Sequence, residues 1–263
     1  MKTNSNVTGF EQLLNASALY INGAVISNDA TTPNTVINVS SGIMRDQSNT
    51  IDINLGDYLV TDTVTVVDSA NVGANGMDEG ILQASKVYYV YVIADSSTNN
   101  PTAAIISLND AATGPVMPYQ YNCYRHIGFV HTDSSVNFIS ATWLGSANLR
   151  SMIYYAPRAT TVSAGNATTF TGFSLSPLVP AIKTSATLNL AYTPATAGNE
   201  GDVTVYGGAN AQLIVTGQVS SVAVTAQGRV AVLLVSNVPT ISYKVSNASD
   251  SINIKVNAYD FTV

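Results

Sequence analysis

Residues 87–139 read VYYVYVIADSSTNNPTAAIISLNDAATGPVMPYQYNCYRHIGFVHTDSSVNFI, and this stretch decides the fold of the first half of the chain. It opens with an apolar and aromatic run, turns through SSTNNP, continues as AAIISL, turns again through ATGPVMP and then gives YRHIGFVHTDSS. Long β-branched and aromatic runs that are bounded by Asn, Ser, Gly and Pro are typical of buried strands. The stretch therefore predicts the central strands of a β domain.

The composition favours a protein that is packed into an assembly or exposed outside a cell. Only 10% of the 263 residues are charged, and 46% are hydrophobic, whereas ordinary soluble domains carry about 25% charged residues. The net charge of −6 argues against nucleic-acid binding, which depends mainly on Lys and Arg. No apolar run approaches the ~18 residues of a membrane helix, and the opening MKTNSNVTGFEQ lacks the apolar core of a signal peptide.

Strand and turn signals continue on both sides of the central stretch. Asn22-Gly23 lies between apolar flanks and predicts a hairpin. Near Pro157 the composition changes and acidic residues become scarce, and eight short strand-like segments follow, among them 219–224. We therefore predict an all-β chain of two β-sandwich, jelly-roll-like domains in tandem, at 20–156 and 157–263, after a short N-terminal helical or extended anchor at 1–19.

The two ends of the chain carry one prediction each. Phe10, Leu13 and Leu14 follow helical spacing, so a short helix there covers a sheet edge or anchors the protein on a particle. Near the other end, the apolar positions of 252–256 share one strand face, whereas Tyr259 and Phe261 fall on the opposite one. Either a β-bulge resets the strand, or its tail is buried on both sides against a partner.

Residues capable of catalysis or metal binding form no recognisable constellation. His126 and His131 lie five residues apart in one predicted strand, so alternation places them on opposite faces and prevents a shared metal unless a bulge intervenes. Cys123 is the only cysteine and lies among aromatic residues, so we expect a buried, unreactive thiol. Asp78 and Glu79 flank a glycine-rich turn but match no EF-hand spacing. We expect no enzymatic activity, no metal and no cofactor.

Tyrosine is the one abundant residue type that suits binding. The chain has fourteen tyrosines, and a tyrosine ring offers an apolar face with a polar tip, which serves core packing, subunit interfaces and sugar binding alike. Strand alternation places Tyr89 and Tyr91 together on one face. The candidate interface residues are Tyr89, Tyr91, Tyr259 and Phe261.

The central stretch resembles a domain of small virion proteins of tailed bacteriophages, of the fibre or appendage type. The resemblance lies in the aromatic strand YYVYVI, an alanine-rich strand, a proline-bearing turn and the segment R-x-I-G-x-V-x-T-D-S-S-x-N-F-I, and it covers roughly residues 35–145. His126 stands where the family usually has a second basic residue, and Met117-Pro118-Tyr119 stands where a glycine usually precedes the tyrosine. These departures touch detail and leave the implied fold unchanged.

The resemblance implies a non-enzymatic structural component of a tailed-phage virion, such as a fibre, spike or decoration protein, which is assembled in the host cytoplasm and released by lysis. Its partners would be other virion proteins and further copies of itself. A homotrimer is favoured because such appendages are commonly trimeric, and because YYVYVI, AAIISL and VAVLLV leave no polar strand face. The alternatives are a host-receptor or carbohydrate-binding module and, with less support, a glycan depolymerase, since the second half holds only four acidic residues.

Overall fold

A computed structural model describes residues 20–56, 64–97, 101–145, 147–182, 184–209 and 211–263. Every regular element in them is a β-strand, so the all-β prediction is confirmed. The described residues form two compact units: unit 1 comprises those up to Phe138 with Gly145–Arg150 and Val263, and unit 2 comprises Ile139–Leu144 and Ser151–Thr262. The predicted anchor residues Phe10, Leu13 and Leu14 lie outside the described residues.

The strands are numbered in chain order. Unit 1 contains β1 (Ile21–Gly23), β2 (Ile26–Asn28), β3 (Val36–Ser40), β4 (Gly42–Arg45), β5 (Asp52–Leu55), β6 (Val64–Asp68), β7 (Val87–Ala94), β8 (Ala103–Ser107) and β9 (Cys123–His131). Unit 2 contains β10 (Ala141–Leu144), most of β11 (Leu149–Gly165), β12 (Thr171–Ser174), β13 (Thr184–Thr193), β14 (Glu200–Val205), β15 (Leu213–Thr216), β16 (Val224–Val235), β17 (Val238–Val245) and β18 (Ser251–Thr262). Residue 157, where the sequence placed a boundary, lies inside β11. No helix in the described ranges is long and apolar enough to span a membrane.

Unit 1 turns at a corner where its strands divide between two sheets. β1 pairs with β4, and β2 pairs with β3, so the hairpin predicted at Asn22-Gly23 is wrong. The chain bends instead at Gly23 (φ 80°) and Ala24 (φ 50°). A Cβ on residue 23 would lie 2.4 Å from the carbonyl oxygen of Ser41. The close approach and the left-handed backbone both require glycine at this position.

The buried guanidinium of Arg150 holds this corner. Its Nη1 donates to the carbonyl oxygens of Ala24 at 2.7 Å and Ile127 at 3.0 Å, and Nη2 donates to that of Gly23 at 2.7 Å. The Nε donates to the carbonyl oxygen of Ala147 at 3.0 Å. Burial lowers the pKa of Arg150 to about 10, and the fan of carbonyl oxygens compensates the buried charge.

A β-bulge in β9 changes which residues share a face. Val90 pairs with Gly128 but Tyr91 pairs with His126, so Ile127 is an extra residue. The bulge places His126 and His131 on the same face, and the prediction of opposite faces is wrong. Their partners on β7, Tyr91 and Val87, are four residues apart, so the backbone positions of His126 and His131 are separated by roughly 13 Å. One ion cannot be bound by both imidazoles across that distance.

The apolar strands of unit 1 are covered by the chain itself. Every residue of β8 is buried, and so is every residue of β7 except Val87 and Tyr89, which are half-buried. The outer edge of β8 is paired as well, because Asn75 donates its backbone N–H to Ala104 and Ile106 donates to Gly76. β7 and β8 therefore need no partner subunit to bury them, and they give the predicted trimer no support.

Unit 2 is an antiparallel sheet that folds over on itself. The strand order is β15-β14-β17-β16-β13-β18-β11-β10, with β12 also paired to β17. β17 pairs with β16 only over residues 238–240 and then with β14 over 241–245. A Cβ on Gly201 of β14 would lie 2.9 Å from the ring of Tyr192, so one end of the sheet packs on the other as a two-layer sandwich.

A second β-bulge explains why the apolar residues of β18 change from even-numbered to odd-numbered positions near the end of the chain. Val256 pairs with Leu188 but Ala258 pairs with Thr187, so Asn257 is the extra residue of β18. Beyond it, Tyr259 points into the same core as Val256. The bulge alternative is therefore confirmed, and two-sided burial of the tail is not needed.

Candidate functional site

The aromatic strand of unit 1 belongs to a packed cluster. Tyr89 and Tyr91 stack with ring centroids 6.4 Å apart. His126 lies 5.3 Å from Tyr89 and 5.5 Å from Tyr91, and Phe129 lies 4.9 Å from Tyr89. Tyr124 meets Tyr91 edge-on at 5.6 Å. Such offset and edge-on contacts are those of a core.

Burial keeps the polar members of this cluster uncharged. Burial, together with the nearby charges of Arg125 and Arg150, lowers the pKa of His126 to about 3, although the hydrogen bond to Gly128 opposes the shift. The neutral ring donates from Nε2 to the carbonyl oxygen of Gly128 at 2.9 Å. Burial also raises the pKa of Tyr91, whose hydroxyl donates to the carbonyl oxygen of Asn109 at 2.8 Å. These groups serve packing and supply no acid or base near neutral pH.

The four candidate interface residues are mostly interior. Tyr91 is buried in unit 1, and Tyr259 and Phe261 are buried in unit 2. The Tyr259 hydroxyl donates to the sulfur of Met152 at 3.1 Å. Only Tyr89, which is half-buried, keeps exposed area.

The reactive side chains named from the sequence take structural roles. The buried Cys123 thiol donates to the carbonyl oxygen of Ala94, and burial raises its pKa, with Asp46 adding to the shift. Asp133 accepts the backbone N–H groups of Ser135 and Asn137 in a turn. In the described part of the chain, no group of three or more His, Cys, Asp or Glu side chains is placed to hold a metal ion.

A polar cavity in unit 1 is lined in part by side chains whose hydrogen bonds are already made within the chain. It measures about 270 Å³ and lies beside Asp46, Asn122 and Tyr124. The Asp46 carboxylate accepts backbone N–H groups of residues 48, 50 and 51 as well as the Ser48 hydroxyl. The Asn122 amide both donates to and accepts from Ser96. The Asp46 and Asn122 side chains therefore offer little free hydrogen-bonding capacity to a ligand.

Unit 2 carries a groove of about 210 Å³ on the outer face of its β16-β13-β18 strands. On β13, the buried residues alternate with half-buried ones that face outward. The strand register aligns Asn189 with Lys255, and Ala191 with both Asn253 and Thr225. The groove is lined by Asn189, Ala191, Thr225, Asn253 and Lys255. The short side chain of Ala191 leaves the depression between longer polar neighbours.

A polar ladder crosses the same face at one end of the groove. The Asp260 carboxylate accepts hydrogen bonds from Ser151 and Ser185 and forms an ion pair with Arg229. Arg229 Nε also donates to the Ser185 hydroxyl at 2.7 Å. The ladder joins four neighbouring strands and neutralises the only carboxylate of β18 on this face.

Most side chains of the groove, unlike Asp46 and Asn122 of the unit 1 cavity, remain available for hydrogen bonding. Within the described ranges, Asn189, Thr225 and Lys255 make no side-chain hydrogen bond or ion pair. Asn253 accepts one bond, from the backbone N–H of Ala164 at 3.0 Å. Two primary amides, a hydroxyl and an ammonium therefore converge on one open depression, with donors and acceptors free to meet a polar ligand.

An exposed aromatic residue lies on the same face. Alternation from Ser151 places Tyr155 outward, and 72% of its surface is exposed. The contacts of Ser151 with Asp260 and of Thr161 with Ile254 bracket it alongside β18. Tyr155 is one of the fourteen tyrosines that suggested binding from the sequence, whereas the sequence analysis did not identify the groove residues. The signal for them was the polar alternation in TLNLAY and SINIKV.

Comparison with known proteins does not assign the chain to a family. No protein-family model matches it, and no curated protein matches its sequence. A carbohydrate-binding module of lichenase 5A from Cellvibrio mixtus, solved with cellotriose, aligns with 45% of this chain and 86% of its own, at 12% identity and a TM-score of 0.25.

Two larger proteins align with most of this chain. The mosquito-larvicidal Cry4Aa toxin of Bacillus thuringiensis does so over 93% of this chain and 52% of its own, at 10% identity and a TM-score of 0.26. An isomalto-dextranase from Arthrobacter globiformis, complexed with panose, aligns over 94% and 33%, at 10% identity and a TM-score of 0.21. The chain thus spans about half or less of these two proteins. TM-scores this low establish no shared fold, and the function is therefore argued from the residues.

Proposed function

We propose that the protein is a non-enzymatic structural component of a tailed-phage virion, of the fibre, spike or decoration type. The observation that carries this proposal is the position of the segment that resembles phage appendage proteins. Gly128 adjoins the β9 bulge, the Thr132 hydroxyl donates to the carbonyl oxygen of Gln83, and Asp133 closes the following turn. These residues lie at the β9 bulge and at the end of the β7–β9 strand pair, and this position favours an architecture shared with phage appendage proteins.

Quantitative mass spectrometry of density-gradient-purified particles tests this proposal. We expect the protein to remain with particles through two gradient steps at a constant ratio to the major capsid protein. A reconstruction of those particles would then place it on the head or the tail. Recovery only in the soluble fraction of the lysate would refute the proposal.

We further propose, on the resemblance alone, that the protein assembles as a homotrimer on the particle. Light scattering at micromolar concentration measures this directly, and we expect three times the mass of one chain. A stable monomer, both free and in the particle reconstruction, would refute the trimer without affecting the virion assignment.

Binding of a host receptor or glycan is the second candidate function, and the open polar groove of unit 2 favours it. Its side chains have unused hydrogen-bonding capacity, and Tyr155 offers an exposed ring beside them. A depolymerase is less favoured, because hydrolysis needs two carboxyl groups across a cleft and no carboxylate lines this groove. Release of reducing sugar from host polysaccharide would revive that reading.

A further inference from the structure

We propose that the groove formed by Asn189, Ala191, Thr225, Asn253 and Lys255 binds an acidic oligosaccharide. This assignment rests on the second candidate function above and gives it a site and a ligand class. The site is an open, shallow depression across three antiparallel strands. This shape admits part of an extended oligosaccharide chain.

The lining selects for a ligand rich in hydroxyl groups. Ala191 is the only apolar residue among the five, so an apolar peptide or lipid anchor would find no buried contact there. A primary amide both donates and accepts hydrogen bonds, as a sugar hydroxyl does, and the planar amides of Asn189 and Asn253 are placed on adjacent strands. Thr225 adds a third group of the same kind on the other side of β13.

The charge of the groove favours an acidic ligand. Lys255 is exposed and makes no ion pair within the described ranges. Asp260, which lies on the same face, is already paired with Arg229. The groove thus presents a cation with no competing carboxylate in its lining, and a uronate, sialate or sugar phosphate satisfies it.

Tyr155 extends the site along the face. Its ring is 72% exposed beside β18, and an exposed tyrosine presents a flat apolar surface to the C–H face of a sugar ring. We assign it to a flanking sugar unit, with Lys255 holding the acidic group.

The full chain is tested on an array of uronate-containing, sialylated and phosphorylated oligosaccharides, each with its neutral counterpart. We expect acidic glycans to bind above the neutral ones. The strongest binder is then titrated by calorimetry, where Lys255→Gln should weaken binding about tenfold, because one charge-assisted hydrogen bond is lost. Ala191→Leu fills the depression and should abolish binding.

Lys244→Gln is the matched control, since Lys244 is also partly exposed but pairs with Asp202 on strands β17 and β14, which do not line the groove. It should bind as the wild type does. Fluorescence of Trp143, which lies in unit 2, reports whether each variant is folded. Equal binding of acidic and neutral glycans, no binding at all, or binding unchanged in Lys255→Gln would overturn the proposal. Particle association is measured separately, so failure here leaves the virion assignment standing.

Discussion

Replacing Arg150 with Met should open the corner of unit 1. The guanidinium donates to carbonyl oxygens of three chain segments: the corner at residues 23 and 24, the bulge residue Ile127 and Ala147. Met fills a similar volume but donates no hydrogen bond. The substitution therefore tests whether this hydrogen-bond fan, rather than packing, holds the corner and the bulge together.

The expected cost follows from which carbonyl oxygens water can reach. The bonds to Ala24 and Ile127 are fully buried, and the other two are partly exposed and can be rehydrated. Two orphaned buried acceptors cost about 2–6 kcal/mol. Part of this is recovered because Met buries no charge, so we expect a loss of about 3 kcal/mol. Arg150→Lys should cost nearly as much, because a compact ammonium cannot span three segments.

Hydrogen exchange followed by mass spectrometry measures this loss locally. Protection of amides in β1, β2 and β9 should fall about a hundredfold in Arg150→Met, whereas protection of amides in β14 and β15 of unit 2 should not change. Arg45→Met is the control, since Arg45 makes one ion pair with a half-exposed Asp52 and its loss should cost at most about 1 kcal/mol. Wild-type protection in both Arg150 variants would refute the reasoning.

Three further predictions concern single positions. The pKa of His126 is about 3 in the folded protein and 6.5 in the unfolded chain, so the unfolded chain binds the extra proton below pH 6.5. The free energy of unfolding, measured in urea, should therefore fall below pH 6.5 by up to about 1.4 kcal/mol per pH unit. The His126→Phe variant should lose this slope between pH 6.5 and 5. Gly23→Ala should cost more than about 3 kcal/mol by the same assay, whereas Gly80→Ala, with a similar positive φ but open space around it, should cost about 1 kcal/mol. Deleting Asn257 should turn Tyr259 out of the core and cost unit 2 at least about 3 kcal/mol; an unchanged Trp143 unfolding midpoint would contradict this.

Local sequence patterns predicted most strands but not their pairing. Strict alternation in Asp52–Leu55 and in TLNLAY matches β5 and β13, because one face of each strand is buried. The segment 219–224, VSSVAV, is rich in valine, yet residues 219–223 lie outside any strand and include a turn, with Ser221 at φ 59°. The hairpin at Asn22-Gly23 failed for a related reason. The chain does bend there, but β1 pairs with β4 and β2 pairs with β3, and the local Asn-Gly pattern does not encode this choice of partners.

The candidate site was missed because its residues are individually ordinary. Asn189, Asn253 and Lys255 occupy the polar positions of amphipathic strands, which usually mean only a solvated face. What distinguishes them is that the register places them together around Ala191, and that Asn189 and Lys255 make no side-chain hydrogen bond or ion pair among the described residues while Asn253 accepts only one. The candidate interface tyrosines were chosen by residue type alone, but Tyr91 and Tyr259 are buried and form no surface. Register and burial are long-range properties, and a single sequence does not state them.

The bulge at Asn257 links the core of unit 2 to the surface on which its function is proposed. Before the bulge, Val256 points inward and Lys255 outward; after it, Tyr259 points inward and Asp260 outward. Without the extra residue, Asp260 would point into the core and Arg229 would lose its partner. A free arginine on the face would then change the charge beside Lys255. One inserted residue thus completes the aromatic core and pairs Arg229, so that Lys255 is the cation of this face on which the proposed binding of an acidic ligand depends.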